Sequence, residues 1–436
     1  MATEEPEVKY SNYCAVYNIE NDTYCYQKGI DKKLPATGSA KIMTACLAIE
    51  NYRGNYLMTV TVNGDWIKEV SGQQMGYKAD EEITVEDLLA ALIVNNSNDS
   101  AYVLAYAISG SLEGFVELMN TKAKELGMEN TVFKNPAGLD DEGMYTTVAD
   151  AVKLSSYAAA QSKFTEYSGE RRVSVDATNK SQERDLYNRN YFVSNYYNNR
   201  YVDGSIIGLN TANTSAAGWC LSVAGRNNAG NTYLVVIMNG DGSVVPENTK
   251  SKTNFEDDDD EEATVYGNEA TGKIAAFEDA KALLKYAYEN FTYFTVVDTS
   301  TMVCDVPVKL SGKVDHVILL PERKVLAFLP CDSNIEQIVE KEWELKSDVL
   351  SAPLKKGEAV GTLKVYVNGE LKDEVNLVPK NNIDRSNLLF ILDMAGSFLL
   401  NPITLVVGSL IILVLILLLI RKIRAAARKR HIVRYK

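Results

Sequence analysis

The hydrophobic pattern of the first third of the chain predicts helices packed with a few strands. The stretch Leu34–Glu50 is apolar on nearly every helical face, and a helix without a polar side belongs inside a sizeable domain. Ahead of it, Tyr10–Lys28 alternates enough to give two strands around the turn residues Asn21 and Asp22, which predicts a β-hairpin. After it, Met58–Val70 has the composition of a strand-rich segment.

Residues that cap helices mark further elements downstream. Thr84 with Asp87 three residues later forms a capping-box-like start, and the apolar residues that follow supply a buried face. Ser111 is placed to cap a helix that Gly127 closes at its C-terminus. The other helices are predicted over Ala101–Ile108, over Phe115–Leu126, from Thr147 onward and over Phe277–Tyr288.

From about Thr295 the pattern changes to short strands. Asn368 and Gly369 separate two alternating segments, which is a strong signal for a two-residue hairpin. The sequence therefore predicts a small all-β domain after a larger α/β domain. Its strands are predicted over Val303–Leu310, His316–Leu320, Lys324–Leu329, Thr362–Val367 and Glu370–Leu377.

The end of the chain has a different composition. Ile403–Ile420 is 18 uncharged, mostly aliphatic residues, and the tail after it holds eight Lys or Arg and no acid. This arrangement predicts one transmembrane helix with a positive-inside tail, after a juxtamembrane helix over Arg385–Leu400. A buried core helix, or a basic tail that binds nucleic acid, are the alternative interpretations. The formal net charge of −13, despite the basic tail, makes the body acidic and argues against nucleic acid as a partner.

Charge also predicts the orientation. A cytoplasmic tail leaves the body outside the membrane, and such a body needs an export signal that Met1–Pro6 does not resemble. We therefore expect the chain to begin after a removed signal peptide; a cytosolic body is the alternative. The acidic run Glu256–Glu262 is typical of a solvated loop, with calcium or a basic partner as alternatives.

Cysteine and histidine usage excludes several chemistries. The six cysteines have no metal-ligand spacing, and Cys14 and Cys25 are not symmetric about their turn, so we expect small buried thiols rather than a cross-strand pair. The two histidines, His316 and His431, lie outside the first domain. A Ser-His-Asp or Cys-His site there and a His-rich zinc site are thus excluded, and we expect neither a metal nor a cofactor.

The first candidate for chemistry is Lys41, near the start of the predicted buried helix. An uncompensated buried ammonium is costly, so Lys41 either reaches a polar cleft or pairs. The stretch LPATGSAKIMTA resembles the active-site helix of the serine D-Ala-D-Ala carboxypeptidases, the low-molecular-weight penicillin-binding proteins, whose pattern is approximately L-P-x-A-S-x-T-K-I-M-T-A. The resemblance puts Gly38 where the nucleophilic serine belongs. Thr37 and Ser39 are candidate substitutes, with a helix N-cap as the alternative role for either.

Two further motifs resemble the family and depart from it at their chemical positions. In the turn Val94–Asp99 the family has S-x-N, which places Asn96 at the serine and keeps the asparagine as Asn98; an ordinary polar turn is the alternative. Gly208–Leu221 resembles the family's strand with K-T-G. There Asn210 replaces the lysine that offers charge to a substrate carboxylate, Thr211 is kept, and Ala212 replaces the glycine.

The segment Thr131–Leu139 also resembles the family, through T-x-F-x-N-P-x-G-L. The resemblance implies an α/β (α+β) penicillin-binding or β-lactamase-like domain and a β-rich membrane-proximal domain, outside a bacterial cytoplasmic membrane. The predicted boundaries are 1–294 for the first domain, 295–380 for the β domain, 381–402 for a juxtamembrane segment, 403–420 for the transmembrane helix and 421–436 for a cytoplasmic tail.

Loss of the serine predicts a catalytically degenerate member of the family. Such a protein binds peptidoglycan stem peptides or a partner of wall synthesis. Two alternatives stay open: an active carboxypeptidase that uses Thr37 or Ser39 with Lys41 as base, and a purely structural envelope protein.

Overall fold

The computed structural model describes residues 5–245 and 272–432, with side chains as far as residue 425. The chain divides into two compact units, Met1–Phe291 and Thr292–Lys436. The acidic run Glu256–Glu262 lies outside the described residues.

The first unit combines seven helices of the described residues with short and long strands. Its helices are α1 (Thr37–Asn51), α2 (Val85–Asn95), α3 (Asn98–Ser109), α4 (Leu112–Glu125), α5 (Val148–Ala159), α6 (Ser162–Ser168) and α7 (Ala275–Asn290). Its strands are β1 (Tyr13–Asn18), β2 (Thr23–Lys28), β3 (Thr59–Thr61), β4 (Glu82–Thr84), β5 (Arg172–Val175), β6 (Arg184–Tyr187), β7 (Ile206–Thr214), β8 (Gly218–Arg226), β9 (Thr232–Gly240), β10 (Val244–Val245) and β11 (Lys273–Ile274).

An antiparallel sheet in the order β2-β1-β9-β8-β7 forms the framework of this unit. Helices α1 and α5 pack against it together with α7, and α2 and α3 pack against α1. Helix α1 is buried from Thr37 to Ile49, as its apolar sequence predicts. Strand β7 is at the edge of the sheet and packs against α1, so one end of α1 lies beside an exposed strand edge.

Local signals placed most of these elements correctly. The opening hairpin forms, with Cys14 opposite Lys28 and both Cys14 and Cys25 free and buried. Thr84 caps α2 by accepting the Asp87 N–H at 3.1 Å. The N-caps of α4 and α5 are Ser111 and Thr147.

Two expectations for this unit are wrong. Within Met58–Val70 the strand β3 is three residues long, because Asn63 accepts the Asp65 N–H at 3.0 Å and caps a 3-10 helix over Gly64–Trp66. The stretch Gly208–Leu221 is two strands rather than one. Thr214 Oγ1 accepts the Ala217 N–H at 3.0 Å and closes the turn between β7 and β8.

The second unit is a β domain followed by two helices. Its strands are β12 (Phe291–Val297), β13 (Cys304–Lys309), β14 (His316–Pro321), β15 (Val325–Pro330), β16 (Val339–Leu345), β17 (Leu350–Ser351), β18 (Gly361–Val367) and β19 (Glu370–Pro379), with the short helix α8 (Ile335–Ile338). The hairpin turn at Asn368 and Gly369 forms, with φ of 51° and 80°. The sequence pattern missed β16 because its exposed, charged residues lie on the edge of a six-stranded sheet.

The chain ends in α9 (Asn387–Leu400) and α10 (Pro402–Ile432). Within the described part of the chain one helix is long and apolar enough to cross a membrane, over Pro402–Ala425. The predicted architecture, an α/β domain followed by a β domain and a C-terminal apolar helix, is confirmed.

Candidate active site

A cleft of about 280 Å³ opens where the first turn of α1 meets strand β7. It brings together every predicted motif position except Gly38, Ser39 and Asn210, which line a small cavity of about 10 Å³ behind it. The cleft is lined by Thr37, Lys41, Gly72, Gln73, Asn96, Asn98, Gly138, Leu139, Arg189, Tyr191, Thr211, Ala212, Asn213, Thr214 and Trp219.

Lys41 both lines the cleft and is buried, with 7% of its surface exposed. Its Nζ donates a hydrogen bond to the Ala137 carbonyl oxygen at 2.6 Å. No carboxylate among the described residues forms an ion pair with it. Burial lowers the pKa of Lys41 to about 8, against a small opposing effect of the Cys220 thiolate. A neutral amine, able to accept a proton, is therefore accessible at mildly alkaline pH.

This pKa predicts a pH-dependent stability. Between about pH 8 and the usual lysine pKa of 10.5 the unfolded chain binds the Lys41 proton and the folded chain does not, so the free energy of unfolding rises with pH. Relative to Lys41→Met, the wild type should gain about 2 kcal/mol between pH 7 and pH 9.5. Urea unfolding of both chains in detergent measures it. A Trp343→Phe background leaves Trp66 and Trp219 to report on the first unit. A stability difference that does not change with pH would contradict the prediction.

The two candidate substitute hydroxyls lie in different places. Thr37 is the first residue of α1 and lines the cleft, four residues before Lys41 and on the same helical face. Ser39 is two residues before Lys41 and faces the internal cavity instead, so its prediction as a cleft nucleophile is wrong. The N-cap prediction is also wrong for both, because Ala36 is the N-cap and no side chain caps α1.

Gly38 is helical and has room for a side chain. A β-carbon built on it would lie 3.5 Å from Asn210 Oδ1, 3.5 Å from Cys220 Cβ and 3.7 Å from Ala212 Cβ, which are ordinary contacts. The missing hydroxyl is thus not enforced by crowding at the β-carbon.

Cys220 is the nucleophilic side chain nearest to that position. Its surroundings are unsuited to attack, because it lines the small internal cavity rather than the cleft. Burial raises the pKa of the Cys220 thiol to about 11, against the opposing backbone N–H groups of Asn239 and Gly38. A buried, protonated thiol is inert, so Cys220 does not replace the serine.

The residues at the two other changed positions bind each other. Asn210 Nδ2 donates to Asn96 Oδ1 at 2.8 Å, and Asn96 Nδ2 donates to the Thr211 carbonyl oxygen at 2.5 Å. Asn96 has a left-handed backbone with φ of 57°, which asparagine tolerates better than most residues. These bonds connect the turn between α2 and α3 to the edge strand β7, so both replacements belong to one polar contact.

Asn98 begins α3 and supports the opposite wall. Its Nδ2 donates to the Ser71 carbonyl oxygen at 2.7 Å, while no described donor lies within hydrogen-bond reach of its buried Oδ1. The neighbouring Asp99 accepts backbone N–H groups of Met75 and Gly76 at 3.0 and 2.9 Å. The segment 71–76 is therefore held against the cleft by two adjacent side chains of α3.

The sequence analysis missed Arg189, a cation on the rim of the cleft. Its Nη2 donates to Gln73 Oε1 at 2.8 Å, and its guanidinium lies 4.4 Å from the ring centre of Tyr197. The surrounding sequence, rich in Asn and Tyr, indicated a cleft edge but gave no reason to single out this arginine. Within the described residues no group of three or more His, Cys, Asp or Glu is placed to hold a metal ion.

Comparison with known proteins gives consistent matches over both units. Residues 1–242 match the family model described as D-alanyl-D-alanine carboxypeptidase, and residues 291–385 match the C-terminal domain of penicillin-binding protein 5. The D-alanyl-D-alanine carboxypeptidase DacF of Bacillus subtilis is 26% identical over 377 residues, which cover 85% of this chain and 86% of the relative.

Other relatives agree. DacC of Escherichia coli, also a D-alanyl-D-alanine carboxypeptidase, is 24% identical over 362 residues, covering 81% of this chain and 79% of the relative. The crystal structure of penicillin-binding protein 5 from Haemophilus influenzae superposes with a TM-score of 0.58 at 19% identity, over 88% of this chain and 99% of that one. These matches confirm the predicted family resemblance and the penicillin-binding fold.

Proposed function

The chain belongs to the D-alanyl-D-alanine carboxypeptidase family, whose members act on peptidoglycan, and on that premise we propose that it is a catalytically degenerate member. It binds a wall stem peptide, or a partner in wall synthesis, in the cleft between α1 and β7 rather than hydrolysing it. The protein is anchored in a bacterial cytoplasmic membrane by the apolar helix Pro402–Ala425, with the first unit outside.

One observation carries this proposal. Three residues before Lys41, on the helical face where an amine could deprotonate a hydroxyl, the chain has Gly38. Glycine has no atom that can attack a carbonyl carbon, and loss of a serine nucleophile costs on the order of a millionfold in comparable hydrolases. The only thiol close by, Cys220 among the described residues, is buried and protonated.

The cleft itself is intact, which supports binding. Strand β7 is at the edge of its sheet, and edge strands accept extended peptides through main-chain hydrogen bonds. Asn98 Oδ1 offers a buried acceptor that no described donor uses. A peptide N–H could satisfy it, and satisfying a buried acceptor is favourable.

A second candidate function rests on Thr37. Its hydroxyl and Lys41 line the same cleft from one helical face, and the pKa of Lys41, about 8, suits a general base. An active carboxypeptidase would use Thr37 to attack the terminal peptide bond and release D-Ala. The proposal of degeneracy is preferred because Thr37 is four residues from Lys41, in the first turn, and not three.

The test is the intact mass of the full-length protein in detergent after incubation with excess penicillin. We expect no covalent adduct, because acylation needs a nucleophile that the helix lacks. Thermal melting before and after incubation shows whether the protein was folded. An adduct that is absent from Thr37→Val would overturn the proposal and identify Thr37 as the nucleophile; release of D-Ala that stops in Lys41→Ala would do the same for activity.

A further inference from the structure

The cleft is cationic although the protein as a whole is acidic. Its described lining residues include Lys41 and Arg189 and no Asp or Glu, whereas the formal net charge of the chain is −13. A guanidinium is charged at every accessible pH. Such a local excess of positive charge favours an anionic ligand group over a neutral one.

We propose that Arg189 binds the terminal carboxylate of the peptide in this cleft, supplying the positive charge that Asn210 cannot. This inference rests on the proposed function, since it takes a peptide as the ligand. It assigns a specificity role to a residue outside the three motifs. The ligand class is a peptide with a free C-terminal carboxylate, as opposed to an amide or an internal peptide segment.

The backbone of Arg189 is fixed beside the strand that carries Asn210. The Thr211 hydroxyl donates to the Arg189 carbonyl oxygen at 3.0 Å, and the Arg189 N–H donates to the Val94 carbonyl oxygen at 3.1 Å. Val94 in turn lies two residues before Asn96, the partner of Asn210. Arg189 therefore enters the cleft next to the position of the missing charge, from a neighbouring segment.

The side chain is also oriented before any ligand binds. Nη2 is bonded to Gln73 Oε1 at 2.8 Å, and Gln73 Nε2 donates to Asn95 Oδ1. The guanidinium covers the Tyr197 ring, which packs edge-on against Tyr196 with ring centres 4.9 Å apart. A planar guanidinium held in this way loses little side-chain entropy on binding, and its fork of N–H donors matches a carboxylate.

A purely structural role for Arg189 makes a different prediction, so binding experiments can separate the two. The probes are an N-acetylated peptide ending in D-Ala-D-Ala, as the free acid and as the C-terminal amide. Isothermal titration of the full-length protein in detergent should show the wild type binding the acid about tenfold to hundredfold more tightly than the amide, because hydrogen bonds to charged groups are the stronger ones. The preference should weaken as salt is added.

In Arg189→Gln the acid should bind as weakly as the amide, while binding of the amide stays at the wild-type level. Arg189→Lys keeps the charge without the fork, so it should retain part of the preference. The matched control is Arg53→Gln, which makes the same charge change at the exposed, far end of α1 and should leave the preference unchanged. Thermal melting of each variant reports folding.

Two results would overturn the inference alone: equal binding of acid and amide by the wild type, or an equal loss of both forms in Arg189→Gln, which would indicate a structural role. Failure of the wild type to bind either form would overturn the proposed peptide binding and this inference together. Retention of the full acid preference in Arg189→Gln would assign the carboxylate to another group and would also overturn it.

Discussion

Gly38→Ser combined with Asn210→Lys is expected to convert a protein that penicillin leaves unmodified into one that forms a covalent adduct. The first change restores a hydroxyl three residues before Lys41, on the same helical face. The β-carbon of that serine fits, since its nearest neighbours would be 3.5 Å away. Because the absence of a nucleophile costs on the order of a millionfold, even partial recovery should be detectable by mass.

The second change is needed because of what surrounds the new side chain. Asn210 Oδ1 is buried, lies 3.5 Å from the built β-carbon of Gly38, and accepts no hydrogen bond from any described residue. In Gly38→Ser alone the hydroxyl can donate to this oxygen, and its proton then points away from Lys41. We therefore expect less adduct from the single variant than from the double variant. A lysine at position 210 also adds charge near the carboxylate of penicillin.

Gly38→Ala is the matched control, since it adds the same β-carbon without a hydroxyl and should stay unmodified. Adding Lys41→Ala to the double variant should abolish the adduct, because the general base is lost. A third substitution, Asn96→Ser, restores the remaining changed position. If this triple variant stays unmodified while it melts like the wild type, the cleft differs from that of an active enzyme in more than its motif residues.

Gly138→Ala is expected to lower the free energy of unfolding of the first unit by about 2–4 kcal/mol. Gly138 has φ of +72°, and a β-carbon there would lie 2.1 Å from the Thr37 carbonyl oxygen and 2.8 Å from Thr37 Cα. These are backbone atoms in the first turn of α1, so they cannot move aside cheaply. The loop would shift instead, and with it the Ala137 carbonyl that accepts from Lys41.

Urea unfolding by tryptophan fluorescence in the Trp343→Phe background measures this loss. Gly143→Ala is the matched control, because Gly143 also has a positive φ, +81°, but its built β-carbon meets nothing closer than Lys134 Cε at 3.9 Å. It should cost about 1 kcal/mol, the strain of the backbone alone. Equal losses in the two variants would show that the contact with Thr37 does not matter.

Much of the fold follows from short-range patterns in the sequence. Thr84, Ser111 and Thr147 begin helices because their side chains satisfy backbone N–H groups two or three residues away. The interior position of α1 follows from a helix with no polar face. The pattern failed where a local cap or a turn competed with a strand, as at Asn63 and Thr214, and at the charged edge strand β16.

The sequence by itself determined that Gly38 stands three residues before Lys41, because helical spacing fixes which residues share a face. It did not determine which hydroxyl faces the cleft, that Asn96 binds Asn210 from 114 residues away, that Lys41 reaches Ala137, or that Arg189 stands on the rim. Those contacts join segments distant in sequence. Their geometry depends on how α1, the turn after α2 and strand β7 pack, and no local periodicity carries that information.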